Sequence, residues 1–356
     1  MAQKHPANRR PGTALVPCLA DEFLTTLNHG PVSVQSTMML SQFAEGKYLP
    51  YVEEHLRPST YYGYRNLWRR YFQPYGSIPL RDFRTLEGEE MLTAIVNEHD
   101  LCRTTAAHIK SFLSGLFRYA KRLGVLNSEY PMRDVVLPKA RRGKQTHAYS
   151  VEEGLRMLEV LPEPAATAVA TALFSGLREG EIRGLGWENY DGEQICVTRS
   201  IWHGEVDDPK TPASLAPVPV IPKLAERLNL LRQLQGCPQQ GPVFPNSVGK
   251  PMCLDKLVRD VIRPTLEKAG IKWCGWHACR RGLATNLHRL GVSDKNIQAI
   301  LRHSNVAVTQ NCYIKTVTSD AREAMALLEC ATSVQPATIA PPSVHRASIE
   351  SGAVNQ

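Results

Sequence analysis

At 356 residues, with 43% hydrophobic and 21% charged content, the chain has the make-up of an ordinary globular protein and the length for two domains, each with its own core, which excludes a fibrous or wholly disordered molecule. Forty-two Lys and Arg against 34 Asp and Glu give a formal net charge of +8, a balance that favours a polyanionic partner such as nucleic acid. No stretch approaches the roughly 20 apolar residues of a membrane span, and residues 1–17 carry Lys4, Arg9 and Arg10 but no apolar run, so a soluble, cytoplasmic protein is expected. The nine cysteines are scattered and contain no C-x-x-C pair, which implies free thiols in a reducing compartment. Cys274, His277 and Cys279 lie close together, but no second ligand pair stands at zinc spacing, and no metal is expected.

Residues 1–35 mix Pro, Gly, Thr and Ala without periodicity and read as a disordered lead-in. A helical domain is expected over residues 36–137. Helical periodicity starts at Thr37, and Pro58, Ser59 and Thr60 supply the N-cap of a second helix. Its apolar positions Tyr61, Tyr64, Leu67, Trp68, Tyr71 and Phe72 recur every three or four residues, with Arg65, Arg69 and Arg70 elsewhere. A further helix spans about residues 104–123, with Ile109, Phe112, Leu113, Leu116, Phe117 and Ala120 as its buried stripe and Gly124 as its stop. Lys110, Arg118, Lys121 and Arg122 are left on the solvent side. Residues 138–149 read as an interdomain linker, its basic, breaker-rich start suited to lie along a phosphate backbone through Lys139, Arg141, Arg142 and Lys144.

The second domain is expected over residues 150–330. Ser150 with Glu153 forms a capping box, and an Ala-rich buried helix follows over residues 164–174. Residues 193–200 have β character and can pair with residues 218–221, giving one small sheet. Helices are expected over 223–234, 254–269, 278–290 and 294–301. From residue 331 to 356 the chain is rich in Ser, Pro and Ala and reads as a disordered tail. The whole is mainly α with a small β-sheet.

The residues that carry chemistry stand in the second domain. Ser175 to Glu181 ends one helix and opens the next, and Arg178 at this turn can present its guanidinium fork to a phosphate. His277 and Arg280, three residues apart, share one helix face. His303 follows 23 residues after Arg280, and Tyr313 ten residues later. The order G-L-R-x-x-E, H-x-x-R, Leu-x-His-Ser, then Tyr resembles the tyrosine recombinase (phage integrase) catalytic domain. The region 36–137 resembles, more loosely, that family's core-DNA-binding domain, through T-x-x-x-Y-x-x-L from Thr60 and the segment R-Y-A-K-R-L-G-V-L-N.

The resemblance implies a two-domain clamp around DNA, in which a helical domain is joined to a mixed α+β catalytic domain. It implies that Arg178 and Arg280 grip the scissile phosphate, that His277 and His303 complete the phosphate site, that Tyr313 attacks, and that Lys210 is the acid for the leaving 5'-oxygen. Glu181 matches an acidic position that orients its neighbours. Arg65, Arg69, Lys110, Arg118 and Lys121 join the four linker cations as candidate DNA contacts. Two departures stand out: Cys279 and Arg281 replace Leu and His of the usual H-x-L-R-H, and Arg302 replaces Gly before His303. Gly tolerates backbone angles that Arg resists, so Arg302 is expected to strain this turn.

These residue types suit phosphoryl transfer from DNA to a phenol. Two fixed guanidiniums stabilise charge on the non-bridging oxygens without a metal. A phenol of ordinary pKa about 10 needs neighbouring cations and a proton acceptor, and a desolvated Lys can protonate the leaving oxygen. A 3'-phosphotyrosyl link conserves the bond energy, so no cofactor is expected, and the sequence holds no P-loop. The implied partners are double-stranded DNA and further copies of the chain, a dimer on each site and a tetramer in the synapse. Residues 320–330 read as a helix that docks on a neighbouring protomer or on its own domain. The rival readings are a topoisomerase, which shares the chemistry, and a catalytically silent DNA-binding accessory factor.

Overall fold

A helical run starts at Leu40 but is not uniform. In the computed structural model, which describes residues 37–126, 131–143, 146–207, 215–303, 305, 307 and 310, α1 (Leu40–Phe43) widens into a π-helical turn over Ala44–Tyr48 before α2 (Leu49–His55). The same widening follows α3 (Pro58–Leu67), over Trp68–Phe72, and recurs in the second half of the chain over Val258–Ile262. Each of the three turns is followed, two residues on, by a proline: Pro50, Pro74 and Pro264. A proline has no N–H to give and crowds the carbonyl four residues back, so a locally widened turn accommodates it.

The chain divides into two compact units, Met1–Thr146 and His147–Gln356. In the first, α1 to α3 are joined by α4 (Thr85–Glu98) and α5 (Arg103–Arg122). The expected stripe of α5, Ile109 to Ala120, is fully buried, and the aromatic rings of Trp68, Phe72 and Tyr48 pack around Phe112. The indole N–H of Trp68 donates to Glu45 at 2.7 Å, so this large buried ring leaves no polar atom unsatisfied. Gly124 ends α5 at φ +70°, its N–H donating to Lys121 and that of Val125 to Ala120, which satisfies the last carbonyls.

Three expectations need correction here. The second helix is capped by Arg57, with Pro58 at its first position, and neither Ser59 nor Thr60 serves; proline's fixed φ suits that position, which needs no N–H. Helix α4 is absent from the sequence reading, although Met91, Leu92, Ile95 and Val96 form its buried face. Lys110 is not left to solvent: it is half-buried, and its ammonium donates to the carbonyl of Val135 at 2.6 Å.

The second unit opens with the capping box as read: the Glu153 N–H donates to Ser150 Oγ at 3.1 Å and the Ser150 N–H to Glu153 Oε2 at 2.8 Å, starting α6 (Val151–Val160). Helix α7 (Ala165–Ser175) is buried on nearly every side, and α8 (Glu179–Gly184) follows after a short turn. Strand β1 (Gln194–Ile195) pairs antiparallel with β4 (Val218–Pro219), as expected, but there is a second sheet, the hairpin of β2 (Ser200–Trp202) and β3 (Glu205–Asp207). Helices α9 (Pro222–Leu234), α10 (Leu254–Leu257) and α11 (Arg263–Lys268) complete one core with α6 and α7. Helix α12 (Trp276–Arg289) packs on α7 and is followed by α13 (Asp294–Leu301). Among the described residues, no helix is long and apolar enough to cross a membrane.

Helix α12 is held against the start of the unit by Tyr149. The Tyr149 N–H donates to Ala278, its hydroxyl donates to Lys272, and its carbonyl accepts from Asn286 at 3.1 Å. This close approach needs Gly282, since a Cβ there would run into the Tyr149 carbonyl oxygen. A Gly282→Ala variant is therefore expected to lose about 1–3 kcal/mol of stability, the usual cost of overpacking against an unyielding neighbour. Chemical denaturation of the two proteins checks this, and an unchanged midpoint would show that α12 shifts freely.

Candidate active site

Three separated segments converge at the meeting of α7, α12 and α13. The first is the turn between α7 and α8. Ser175 closes α7, Gly176 turns the chain at φ +64°, and Arg178 becomes the extended N-cap of α8. Gly176 is required twice over: its backbone lies in the left-handed region, and a Cβ would meet Leu301 at 2.7 Å and Leu283 at 3.0 Å. The second segment is α12, which carries His277 in its first turn and Arg280 one turn later. The third is the end of α13, Leu301-Arg302-His303.

Arg280 is buried and ties the three together. Its guanidinium donates to the carbonyl of Gly176, to the carbonyl of Leu301 and, through Nε–H at 3.3 Å, to His303 Nε2. Because a guanidinium only donates, His303 Nε2 must accept, which places the proton of the neutral imidazole on Nδ1. Gln298 holds the following backbone by donating to the His303 carbonyl at 2.9 Å.

Glu181, in the first turn of α8, is 4% exposed and carries a bifurcated load. Arg178 gives its guanidinium to Oε1 at 2.7 Å and its backbone N–H to Oε2 at 2.9 Å. Arg302 gives its guanidinium to Oε2 at 2.7 Å, with no part of its side chain exposed. Burial pushes the Glu181 carboxyl up, but the guanidinium of Arg302 and the backbone and side chain of Arg178 outweigh it and hold the group below its ordinary range.

Arg302 itself sits at φ +55°, the left-handed C-cap of α13. The strain expected there is present, at a typical cost of about 1–2 kcal/mol for a residue with a Cβ. The buried ion pair holds it there: breaking such a pair by removing one partner typically costs about 3–5 kcal/mol, because the other charge is left uncompensated. In the sequence Arg302 stands only as a departure from the family pattern; its membership of the cluster is signalled there by a cation placed where glycine would be unstrained.

Both histidines are biased toward the neutral form. For His303, burial first, then Arg280, Arg178 and Arg302, lower the pKa to about 4. His277 keeps an exposed edge, yet packing around its ring and then Arg280, Arg281 and Arg178 lower its pKa as well. Cys279 is fully buried and packs in the core, where burial pushes its thiol up to about 12. Three guanidiniums against one carboxylate give this small region a surplus of positive charge, which favours an anion.

Of the other residues singled out in the sequence, Lys210, Tyr313 and Lys144 lie outside the described residues. Arg69, Arg118, Lys121, Lys139, Arg141 and Arg142 are exposed. Arg141 is engaged by Asp100 at 3.1 Å, and Arg118 donates back to the Ser114 carbonyl. Arg65 is half-buried, its guanidinium 4.3 Å over the Tyr62 ring and 5.4 Å over that of Tyr61.

Comparison with known proteins points to the same family that the motifs resemble. Residues 144–319 match the model of the phage integrase family. A tyrosine recombinase XerC-like protein of Caldanaerobacter subterraneus subsp. tengcongensis is 26% identical over 296 residues, covering 73% of this chain and 75% of the relative. The Tn1549 transposon integrase, solved in complex with a circular intermediate DNA, superposes with a TM-score of 0.65 at 20% identity, covering 82% of this chain and 99% of that one. Lambda integrase, solved as a tetramer bound to a Holliday junction, gives a TM-score of 0.59 at 17% identity over 86% of this chain and 88% of that one.

The histidine environment makes a testable statement about pH. An unfolded histidine titrates near 6.5, while folded His303 titrates near 4. Below about pH 6.5 the unfolded state therefore binds the extra proton. The stability contribution is full above pH 6.5 and lost as pH falls through 4, with His277 acting in the same direction. The unfolding midpoint is expected to drop over this window, and less so in a His303→Gln variant. Identical pH profiles for the two proteins would contradict a buried neutral imidazole.

Proposed function

We propose, for a chain that belongs to the phage integrase family of tyrosine recombinases, that it is a site-specific DNA recombinase in which Tyr313 attacks the scissile phosphate. The family breaks and rejoins DNA strands. The observation that carries the residue assignment is the convergence of Arg178, Arg280, His277 and His303 from three segments onto one region of surplus positive charge.

In this reading Arg178 and Arg280 hold the non-bridging oxygens of the phosphodiester. Their orientation is set before DNA arrives, Arg178 by Glu181 and Arg280 by two backbone carbonyls, so little reorganisation accompanies charge development in the transition state. Neutral His277, beside Arg280, is free to accept the phenolic proton as Tyr313 attacks and becomes an imidazolium in doing so. Neutral His303 steers the Arg280 guanidinium through its Nε2 lone pair. Tyr313 forms a bond from its phenolic oxygen to phosphorus as the bond to the 5'-oxygen breaks, and Lys210 protonates that oxygen. The product is a 3'-phosphotyrosyl link and a free 5'-hydroxyl. Attack by another strand's 5'-hydroxyl reverses the step and reseals DNA without an external energy source.

Double-stranded DNA is thus the substrate, and the chain works as a dimer on each site and a tetramer in the synapse. The lambda integrase tetramer on a Holliday junction supports that assembly. The exposed Arg69, Arg118, Lys121, Lys139 and Arg142 provide phosphate contacts that position the duplex without reading its bases.

The test is covalent trapping. The unaltered chain and a Tyr313→Phe variant are incubated with nicked duplex pools in chelator, and DNA-linked protein is sought on a denaturing gel. An adduct formed by the unaltered protein alone is expected. Salt-sensitive binding of both proteins with no adduct from either would instead identify a catalytically silent DNA binder. For Lys210, replacement by Ala is expected to slow cleavage of ordinary DNA far more than cleavage of DNA with a 5'-sulfur leaving group. Equal slowing would remove Lys210 from the acid's role.

A further inference from the structure

The turn before His303 poses a question that the reaction itself does not answer. Glycine would occupy φ +55° without strain, yet the chain places an arginine there and buries its side chain completely. The guanidinium reaches across 121 positions of sequence to a carboxylate already bonded to Arg178.

A lone Glu181 would fix Arg178 at a cost. A carboxylate 2.7 Å from the guanidinium cancels much of the positive potential that Arg178 directs at an incoming anion. The second guanidinium, Arg302, engages the same carboxylate through Oε2 at 2.7 Å. With Arg302 present, Glu181 keeps its two hydrogen bonds to Arg178, while its charge is shared between two cations.

We infer that Arg302 is a positioning residue for the strand-cleavage reaction: by sharing the Glu181 carboxylate with Arg178, it lets Glu181 orient Arg178 without neutralising it toward the scissile phosphate. This role rests on the recombinase reading above. Arg302 touches no substrate atom in this account, and it acts through Glu181. Its charge also reaches His303, which Arg280, Arg178 and Arg302 together with burial keep neutral.

A distinctive pattern among variants follows. Replacing Arg302 with Met keeps much of its volume but returns the full Glu181 charge to Arg178. Removing that charge as well, in Arg302→Met combined with Glu181→Gln, frees Arg178 again, so the second substitution should partly rescue the first. Arg302→Lys keeps the cation and should keep most of the activity. The readout is the first-order cleavage rate of duplex already bound by full-length protein, using the duplex recovered from adducts of the unaltered chain, which makes the rate independent of the fraction folded.

Arg302→Met is expected to slow this step about 100-fold, the scale on which a misdirected catalytic group fails. Arg302→Lys is expected within about tenfold of the unaltered chain, since the cation is retained. The double variant is expected to cleave faster than Arg302→Met alone, with duplex affinity little changed throughout. Arg302→Met cleaving at the unaltered rate, or the double variant being slower than either single one, would overturn the role while leaving the recombinase reading intact. An unaltered chain that forms no adduct on any duplex would overturn the recombinase reading, and this role with it.

Discussion

The architecture of the site depends on one buried carboxylate. Glu181 sits where α8 begins, accepting from the Arg178 side chain at Oε1 and from both the Arg178 backbone and the Arg302 guanidinium at Oε2. Buried charges persist only when paired, and an unpaired Glu181 would take up a proton rather than stay ionised. The two arginines therefore fix Glu181 as firmly as it fixes them. Since Arg302 precedes His303, and His303 accepts from Arg280, the ion pair at one end of the cluster constrains the imidazole at the other.

Everything around this network serves to bring its parts together. The three segments come from distant positions, and each reaches the site through a backbone feature that few residues allow. Gly176 turns sharply so that its carbonyl can receive Arg280 and its missing side chain can admit Leu301. Gly282 lets α12 lie against Tyr149 at the start of the unit. Arg302 takes the left-handed angle itself and is held in it by its side chain. The cations are thus anchored to well-packed helices, and in the proposed reaction this fixed arrangement would supply the preorganisation that phosphoryl transfer requires.

Much of this was legible in the sequence. Strong periodicity and definite caps located α5, α6, α7, α9, α12 and α13, because a long amphipathic face or a Ser150–Glu153 box leaves little choice of register. The order of Arg178, His277, Arg280 and His303 carries the resemblance to the phage integrase family. What escaped was set by long-range contacts. The β2–β3 hairpin is three residues a side, too short for alternation to announce it. Lys110 reads as a surface cation until the Val135 carbonyl is seen above it. Arg302 reads as a misfit for the same reason: its partner lies 121 residues away, and no local rule connects a C-cap arginine to the first turn of another helix.

The central claim is that this cluster grips the scissile phosphate in the transition state, rather than merely attracting DNA. Neutralising Arg178, for example as Arg178→Gln, tests it most directly, because Arg178 is partly exposed and its loss spares the buried Arg280 ties. Strand cleavage and duplex affinity are measured side by side across a salt series. The account predicts a loss of about 100- to 1,000-fold in cleavage, with the salt slope of binding reduced by no more than about one. A parallel fall in cleavage and affinity by the same factor would contradict it, and would make Arg178 an ordinary phosphate contact.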